Sequence, residues 1–140
     1  ATILLTNDFG HSWTKTTAPL DFGEPSKGIF SIDMLNENYG FCVGGDYRAD
    51  SLTSQNMATT FDGGRSWQGV SHQSTSGLYK SCINLINQNN IIATSRTGIV
   101  YTQNGGKDWL NLEGRFYSVS TVNGVSWLSG PDGSVARIEW

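Results

Sequence analysis

Short apolar runs alternate with clusters of glycine, asparagine, aspartate and serine along most of the chain. The runs are rich in β-branched and aromatic residues, and no window keeps the period of an amphipathic helix. Runs of this length, bounded by turn-forming residues, predict β-strands. The proline-bearing stretch TTAPLDFGEPSKG is interpreted as an irregular loop. The predicted strands lie in TILLT, SWTKT, GIFSIDML, YGFCVGG, QNMATTF, SWQGVS, YKSCINLI, NIIATS, GIVYTQ, DWLNLE, FYSVSTV, GVSWLSG and SVARIEW.

Three eight-residue segments, here called the octads, repeat one pattern between these runs. Each octad has Thr first, Asp or Asn third, Gly fifth and Trp eighth. Successive octad tryptophans are 54 and 42 residues apart, and periods of about 40–50 residues are typical of propellers and repeat arrays. The octads are TNDFGHSW (Thr6–Trp13), TFDGGRSW (Thr60–Trp67) and TQNGGKDW (Thr102–Trp109).

The composition of an octad indicates a tight turn at the tip of a β-hairpin. An Asp or Asn side chain accepts hydrogen bonds from backbone N–H groups about two residues on, and the fifth-position glycine suits a positive φ. The tryptophan opens the second strand and is expected to bury a large area. We therefore predict a structural role for twelve octad residues: Thr6, Asp8, Gly10, Trp13, Thr60, Asp62, Gly64, Trp67, Thr102, Asn104, Gly106 and Trp109.

The octads resemble the Asp-box, or BNR repeat, with the pattern Ser/Thr-x-Asp-x-Gly-x-Thr/Ser-Trp. The first two octads match every defined position of that pattern. The third departs from it twice, with Asn104 in place of Asp and Asp108 in place of Ser or Thr. Because asparagine keeps the acceptor oxygen, we expect the third turn to survive without the charge.

With an octad between the third and fourth strand of each unit, the strands group into the four-stranded antiparallel blades of an all-β propeller. The predicted divisions are the end of one blade (1–20), two full blades (28–72 and 78–114) and three strands of a closing blade (115–140). We expect the C-terminal portion, about three blades, of a larger propeller whose N-terminal part supplies the missing strand. Two alternatives are that the first two and last three strands combine, or that two copies associate.

The stretches IDMLNENYGFCVGGDY, SRTGIVYTQNGGKDW and GPDGSVARI resemble propellers related to the photosystem II assembly and stability factor. The blade that contains Cys42 departs from that pattern, because its connection from Gly44 to Thr60 is lengthened. The resemblance implies a non-catalytic scaffold that binds a protein or peptide partner. It also implies that ligands bind on the face opposite the octads.

Candidate binding residues lie in the connections expected at that opposite face. Arg48 and Arg96, from neighbouring blades, could together clamp a carboxylate or phosphate, and Tyr47 offers a flat surface for a sugar or peptide. The candidates between second and third strands are Asp46, Tyr47, Arg48, Asp50, Arg96 and Asp132, and those in blade-joining loops are Glu24, Lys27, His72 and Arg115.

A glycoside hydrolase is the alternative function, since Asp-boxes also occur in sialidase-like and xyloglucanase-like propellers. Most glycosidases need two carboxyl groups about 5–9.5 Å apart, and Asp46, Asp50 and Asp132 are the candidates. The sialidase variant of this hypothesis would use Tyr47 with clustered arginines. We favour the scaffold because no sequence spacing ties these residues together.

Composition and net charge narrow the possible functions further. The 140 residues suffice for one domain, and a net charge of −3 argues against nucleic-acid binding. No apolar run approaches the ~20 residues that span a bilayer, and no signal peptide is visible. We expect no cofactor and no metal site, since the two histidines are isolated. Cys42 and Cys82 are interpreted as small buried residues, and a disulfide between them stays an alternative. We expect an extracytoplasmic location from the resemblance and the low lysine content.

Overall fold

The computed structural model describes residues 1–49, 55–70 and 78–140. Each of the thirteen predicted strands overlaps an observed strand. Within the described ranges the helical structure is one 3-10 turn, Pro131–Gly133. The strands are β1 (Thr2–Leu5), β2 (Thr14–Thr17), β3 (Lys27–Met34), β4 (Gly40–Asp46), β5 (Met57–Thr60), β6 (Gln68–Gly69), β7 (Cys82–Leu85), β8 (Ile91–Ser95), β9 (Gly98–Thr102), β10 (Leu110–Leu112), β11 (Ser118–Val122), β12 (Val125–Ser129) and β13 (Val135–Glu139).

The strands form four antiparallel sheets in which spatial order follows chain order. The sheets are β1-β2, β3-β4-β5-β6, β7-β8-β9-β10 and β11-β12-β13. Consecutive pairing of this kind comes from hairpins, which short turns can close. The predicted all-β architecture of four-stranded blades is thereby confirmed, and the sheets do not close into a ring. The source of a fourth strand beside β13 stays a prediction.

The second strand of each full blade is buried along its whole length. Every residue of β8 is buried, as are the first six residues of β4. Such strands carry apolar or small residues on both faces, as expected for a strand covered on two sides. The outer strands β6 and β10 are largely exposed and short, which limits the edge available for unwanted strand pairing.

Three apolar clusters lie between successive sheets. Ile3 and Leu20 pack on Cys42 and Trp67, which joins the first sheet to the second. The third and fourth sheets are joined by a cluster of Ile92, Ile99, Val119 and Leu128. The cluster between the second and third sheets contains Tyr39, Phe41, Val43, Met57, Val70, Ile83, Leu85, Ile91, Ala93 and Val100.

All three octads form the same hydrogen-bonded turn. In the second octad the Thr60 hydroxyl donates to Asp62 Oδ1 at 2.9 Å and accepts from the Gly64 N–H at 2.9 Å. Asp62 Oδ2 accepts from the Ser66 hydroxyl at 2.6 Å. Gly64 has φ +83°, so the predicted left-handed glycine is present. Hydrogen bonds from the Ser66 side chain, above all, hold the pKa of Asp62 at about 2.

The third octad keeps this turn by exchanging two roles. Asn104 Oδ1 accepts from the Thr102 hydroxyl at 2.9 Å and from the Asp108 N–H at 3.0 Å. Its Nδ2 atom donates to the Asp108 carboxylate at 2.8 Å. The donor and acceptor at the third and seventh positions are therefore swapped relative to Asp62 and Ser66. The turn survives as expected, and the negative charge moves to Asp108 instead of disappearing.

The octad tryptophans differ in burial. Each indole Nε1 donates to the carbonyl of its own octad glycine at 3.1 Å. Trp67 is 9% exposed because the first sheet covers it, whereas Trp13 is 57% exposed. Trp109 is half-buried and packs against the cluster between the second and third sheets.

The two cysteines are not joined. Both are free thiols, Cys42 buried and Cys82 half-buried. Burial raises the pKa of the Cys42 thiol to about 12, so this residue behaves as a small apolar side chain.

Candidate functional site

The sheets have two ends that differ in chemistry. The octads and the turns between first and second strands share one end, because the Gly63 N–H donates to Asn38 O at 2.9 Å and the Gly105 N–H to Asn89 O at 3.0 Å. In an antiparallel meander the remaining connections leave the sheets at the other end. That other end, here called the loop end, holds the described residues that directly follow β4, β8 and β12 and those that directly precede β7 and β11.

A groove of about 370 Å³ lies at the loop end. We call it the tyrosine groove, and it is lined by Tyr47, Tyr79, Ser81, Arg96 and Tyr117. These residues come from four different connections: after β4, before β7, after β8 and before β11. A second groove of about 680 Å³ shares Arg96 and Tyr117 with the first and is also lined by Arg115 and Asp132.

The aromatic rings at this end meet edge to face. Phe30 lies 5.2 Å from Tyr79 at an interplanar angle of 87° and 6.0 Å from Tyr47 at 82°. The rings of Tyr47 and Tyr79 are 6.5 Å apart at 68°. Burial raises the pKa of the Tyr79 hydroxyl. The three rings pack against one another edge to face and do not form one flat platform.

The two arginines proposed as a clamp both lie against Tyr47. Arg96 Nη2 donates to the Tyr47 carbonyl, and the Arg48 guanidinium lies 6.0 Å from the centre of the Tyr47 ring. Arg96 lines both grooves, whereas Arg48 is exposed and lines neither. Arg96 is thus shared by the two grooves, whereas Arg48 lies beside the Tyr47 ring.

The candidate carboxylates are placed differently from one another. Asp46 Oδ1 accepts from the Arg48 N–H at 2.9 Å, and a hydrogen bond from the Ser26 hydroxyl contributes most to the lowered pKa of Asp46. Asp132 is exposed at a φ of 55° and lines the second groove. Asp50 lies outside the described residues. Asp46 thus stabilises its own turn, and this arrangement does not favour the glycosidase alternative.

The candidate residues in the blade-joining loops also differ in whether they line a groove. Arg115 lines the second groove. Glu24 and Lys27 form a turn, with the Lys27 N–H donating to Glu24 O at 3.0 Å, and neither lines a groove described above. His72 lies outside the described residues.

Sequence reasoning missed Tyr79, Ser81 and Tyr117. Tyr79 precedes β7 by three residues, and Tyr117 immediately precedes β11. A usable signal was the position of three of the five tyrosines, since Tyr47 closely follows a predicted strand and Tyr79 and Tyr117 are among the first two residues of predicted strands. Tyrosine is frequent in binding sites because it combines a rigid apolar ring with a polar tip.

Lys80 holds the backbone beneath the groove. Its side chain is 1% exposed, and Nζ donates to Leu78 O at 3.1 Å and Tyr79 O at 3.3 Å. The Lys80 N–H donates to Gly44 O at 2.8 Å, which ties this segment to β4. Burial lowers the pKa of the Lys80 ammonium group to about 8. Lys80 therefore positions Tyr79 without lining the groove itself.

Lys80→Met is expected to change how stability depends on pH. The unfolded lysine keeps its proton to about 10.5, whereas the folded one releases it near 8. Between these values the unfolded chain binds more protons, so this group makes the native chain more stable as pH rises. Urea unfolding at several pH values above 8 should show a smaller rise, or a steeper fall, for the variant. Lys107→Met, at an exposed octad position, should match the native chain, and an unchanged pH dependence in Lys80→Met would contradict the prediction.

Two classes of feature are missing from the described ranges. No group of three or more His, Cys, Asp or Glu side chains there is arranged to hold a metal ion. Nor does any described helix have the length and apolar character needed to cross a membrane.

Solved structures similar to this chain are β-propellers. One is described as YCF48 bound to D1 peptide, with 20% identity, a TM-score of 0.65 and coverage of 99% of this chain and 45% of that chain. Another is YCF48 from Cyanidioschyzon merolae, with 18% identity, a TM-score of 0.59 and coverage of 79% and 34%. The chain spans less than half the length of either protein.

These likenesses show the fold, a partial β-propeller. They confirm, at the level of the fold, the resemblance to photosystem II assembly-factor propellers drawn from the sequence. The sequence matches no protein-family model and no curated protein sequence.

Proposed function

We propose that this chain is part of a non-catalytic β-propeller scaffold that binds a protein partner through an extended peptide laid across the loop end. The tyrosine groove carries this proposal. Three tyrosines and one arginine line it, and these residue types contribute most of the binding energy in many protein interfaces. Its volume of about 370 Å³ lies in the range typical of ligand sites.

The octads support the proposal by their chemistry. We interpret them as Asp-boxes, because the carboxylate or amide of each is consumed by its own turn. The octad carboxylates and amide are therefore already hydrogen-bonded, while hydroxyl and guanidinium groups line the groove at the loop end. The description of YCF48 with a D1 peptide also favours a peptide as ligand for this fold.

The tyrosine groove and the second groove can each hold one part of a peptide. Tyrosine rings pack against apolar side chains, and the Arg96 guanidinium at the junction of the two grooves attracts a carboxylate or a backbone carbonyl. Asp132 in the second groove can attract a basic side chain of the same peptide. Two grooves that share Arg96 and Tyr117 thus favour a segment of several residues over a small compact ligand.

Peptide selection tests this function. Random-sequence peptides displayed on phage are selected on the immobilised chain, and the affinities of recovered peptides are measured by titration calorimetry. We expect Tyr79→Ala and Arg96→Ala to weaken binding by about tenfold or more. Arg65→Ala is the matched control, because Arg65 lies at the octad end, where its Nη1 donates to Asp62 O at 2.8 Å.

Two outcomes would contradict the proposal. One is that no peptide is recovered above the background of a surface without protein. The other is that recovered peptides bind the Tyr79→Ala and Arg96→Ala variants as tightly as the native chain. Circular dichroism of each variant shows whether the fold is retained, so that a loss of binding is attributed to the groove.

A further inference from the structure

We propose that the tyrosine groove recognises a proline-rich segment in the polyproline II conformation. This inference rests on the proposed function and names the class of peptide. It is carried by the mutual inclination of the aromatic rings, by the hydroxyl groups at the groove and by the origin of the groove in loops instead of a strand edge.

The ring geometry favours proline over a sugar. Sugars stack on the open face of an aromatic ring, which requires a flat platform. Here the two tyrosine rings that line the groove, Tyr47 and Tyr79, are inclined to each other by 68° and both pack edge to face on Phe30, so they present an angled aromatic lining and no flat platform. Aromatic-lined grooves are the sites at which proline-rich segments in the polyproline II conformation dock.

The hydrogen-bonding groups point to the same ligand. The hydroxyls of Tyr47, Tyr79 and Tyr117 make no hydrogen bond to another described residue, whereas that of Tyr39 donates to Gln88 O at 3.4 Å. No carboxylate or carboxamide lines the tyrosine groove within the described part of the chain. A polyproline II segment has no internal hydrogen bonds and few N–H groups, and it presents backbone carbonyls. Donor hydroxyls in a groove whose described lining contains no carboxylate match a ligand of this kind.

The backbone of the groove does not favour the alternative in which the peptide binds as an additional β-strand. Strand addition needs an exposed strand edge with its N–H and C=O groups in a row. The residues that line the tyrosine groove come from four connections, and none lies in a strand. A ligand that brings its own stable extended conformation also loses less entropy on binding.

The peptides recovered on the native chain provide the test. We expect them to be enriched in proline relative to the starting library, with two prolines on the same side of a polyproline II helix. Synthetic versions with these prolines replaced by alanine should bind about tenfold more weakly. Tyr79→Phe and Tyr117→Phe keep the rings and should weaken binding by about threefold to tenfold through the lost hydroxyl.

The result also separates this inference from the proposed function. Recovered peptides that need Tyr79 and Arg96 but show no proline enrichment would overturn the inference and leave the scaffold function standing. Binding of maltohexaose to the native chain that is lost in Tyr79→Ala would overturn it in favour of a carbohydrate ligand. Failure to recover any peptide would overturn both.

Discussion

Phe41→Ala is expected to lower the free energy of unfolding by about 3–5 kcal/mol, the range for deleting a buried aromatic ring. Phe41 is 1% exposed and belongs to the cluster between the second and third sheets. Its ring meets that of Tyr39 at 5.8 Å and 83°. A Cβ at Gly106 would lie 3.2 Å from the tip of the Phe41 ring, so the ring also contacts the third octad.

The expected loss is large because the Phe41 ring fills space between the second and third sheets and the turn of the third octad. Neither sheet can close the cavity alone, because β4 is held on both sides by β3 and β5. Urea unfolding followed by tryptophan fluorescence measures the change. Phe22→Ala, at a site 74% exposed, is the control and should alter stability by less than about 0.5 kcal/mol. A loss below about 1 kcal/mol for Phe41→Ala would show that the two sheets do not pack as described.

Thr60→Val is expected to cost about 1–3 kcal/mol, although valine has nearly the same shape as threonine. Thr60 is 1% exposed, and its hydroxyl accepts from the buried Gly64 N–H and donates to Asp62. The substitution leaves that N–H buried without its acceptor. The expected loss of stability therefore comes from the Gly64 N–H, which is buried without an acceptor, and not from a cavity.

Two variants separate this effect from a general intolerance of valine. Thr60→Ser retains the hydroxyl and should lose less stability than Thr60→Val. Thr17→Val, in the exposed part of β2, should be nearly neutral. If thermal unfolding showed Thr60→Val and Thr17→Val to be equally stable, the octad hydroxyl would have no structural role.

Local features of the fold were predictable from the chain. The turn at Asp62 and Gly64 uses atoms within a few residues of one another, so its hydrogen bonds follow from short sequence spacing. Hairpin pairing follows from such turns, which is why the strands and their order agree with expectation. The exchange of donor and acceptor between Asn104 and Asp108 is equally local and could have been inferred by reading the two substitutions together.

The candidate site was only partly predictable. Tyr47, Arg96 and Asp132 follow second strands, so topology alone sends them to the loop end. Tyr79 and Tyr117 lie in segments between sheets, where no repeating pattern marks which side chains converge. The position of Arg96 against the Tyr47 carbonyl depends on the packing of two sheets, as does the burial of Lys80, whose N–H donates to Gly44 O.

The sequence by itself determined the strands, the octad turns and the end of each sheet at which a connection emerges, because these depend on contacts between near neighbours in the chain. Tertiary structure alone decided that three tyrosines from separate connections share one groove with Arg96. It also decided that Trp67 is buried while Trp13 is exposed. Both outcomes depend on which sheet lies beside which, and the free energy of packing between sheets is a sum over residues distant in sequence.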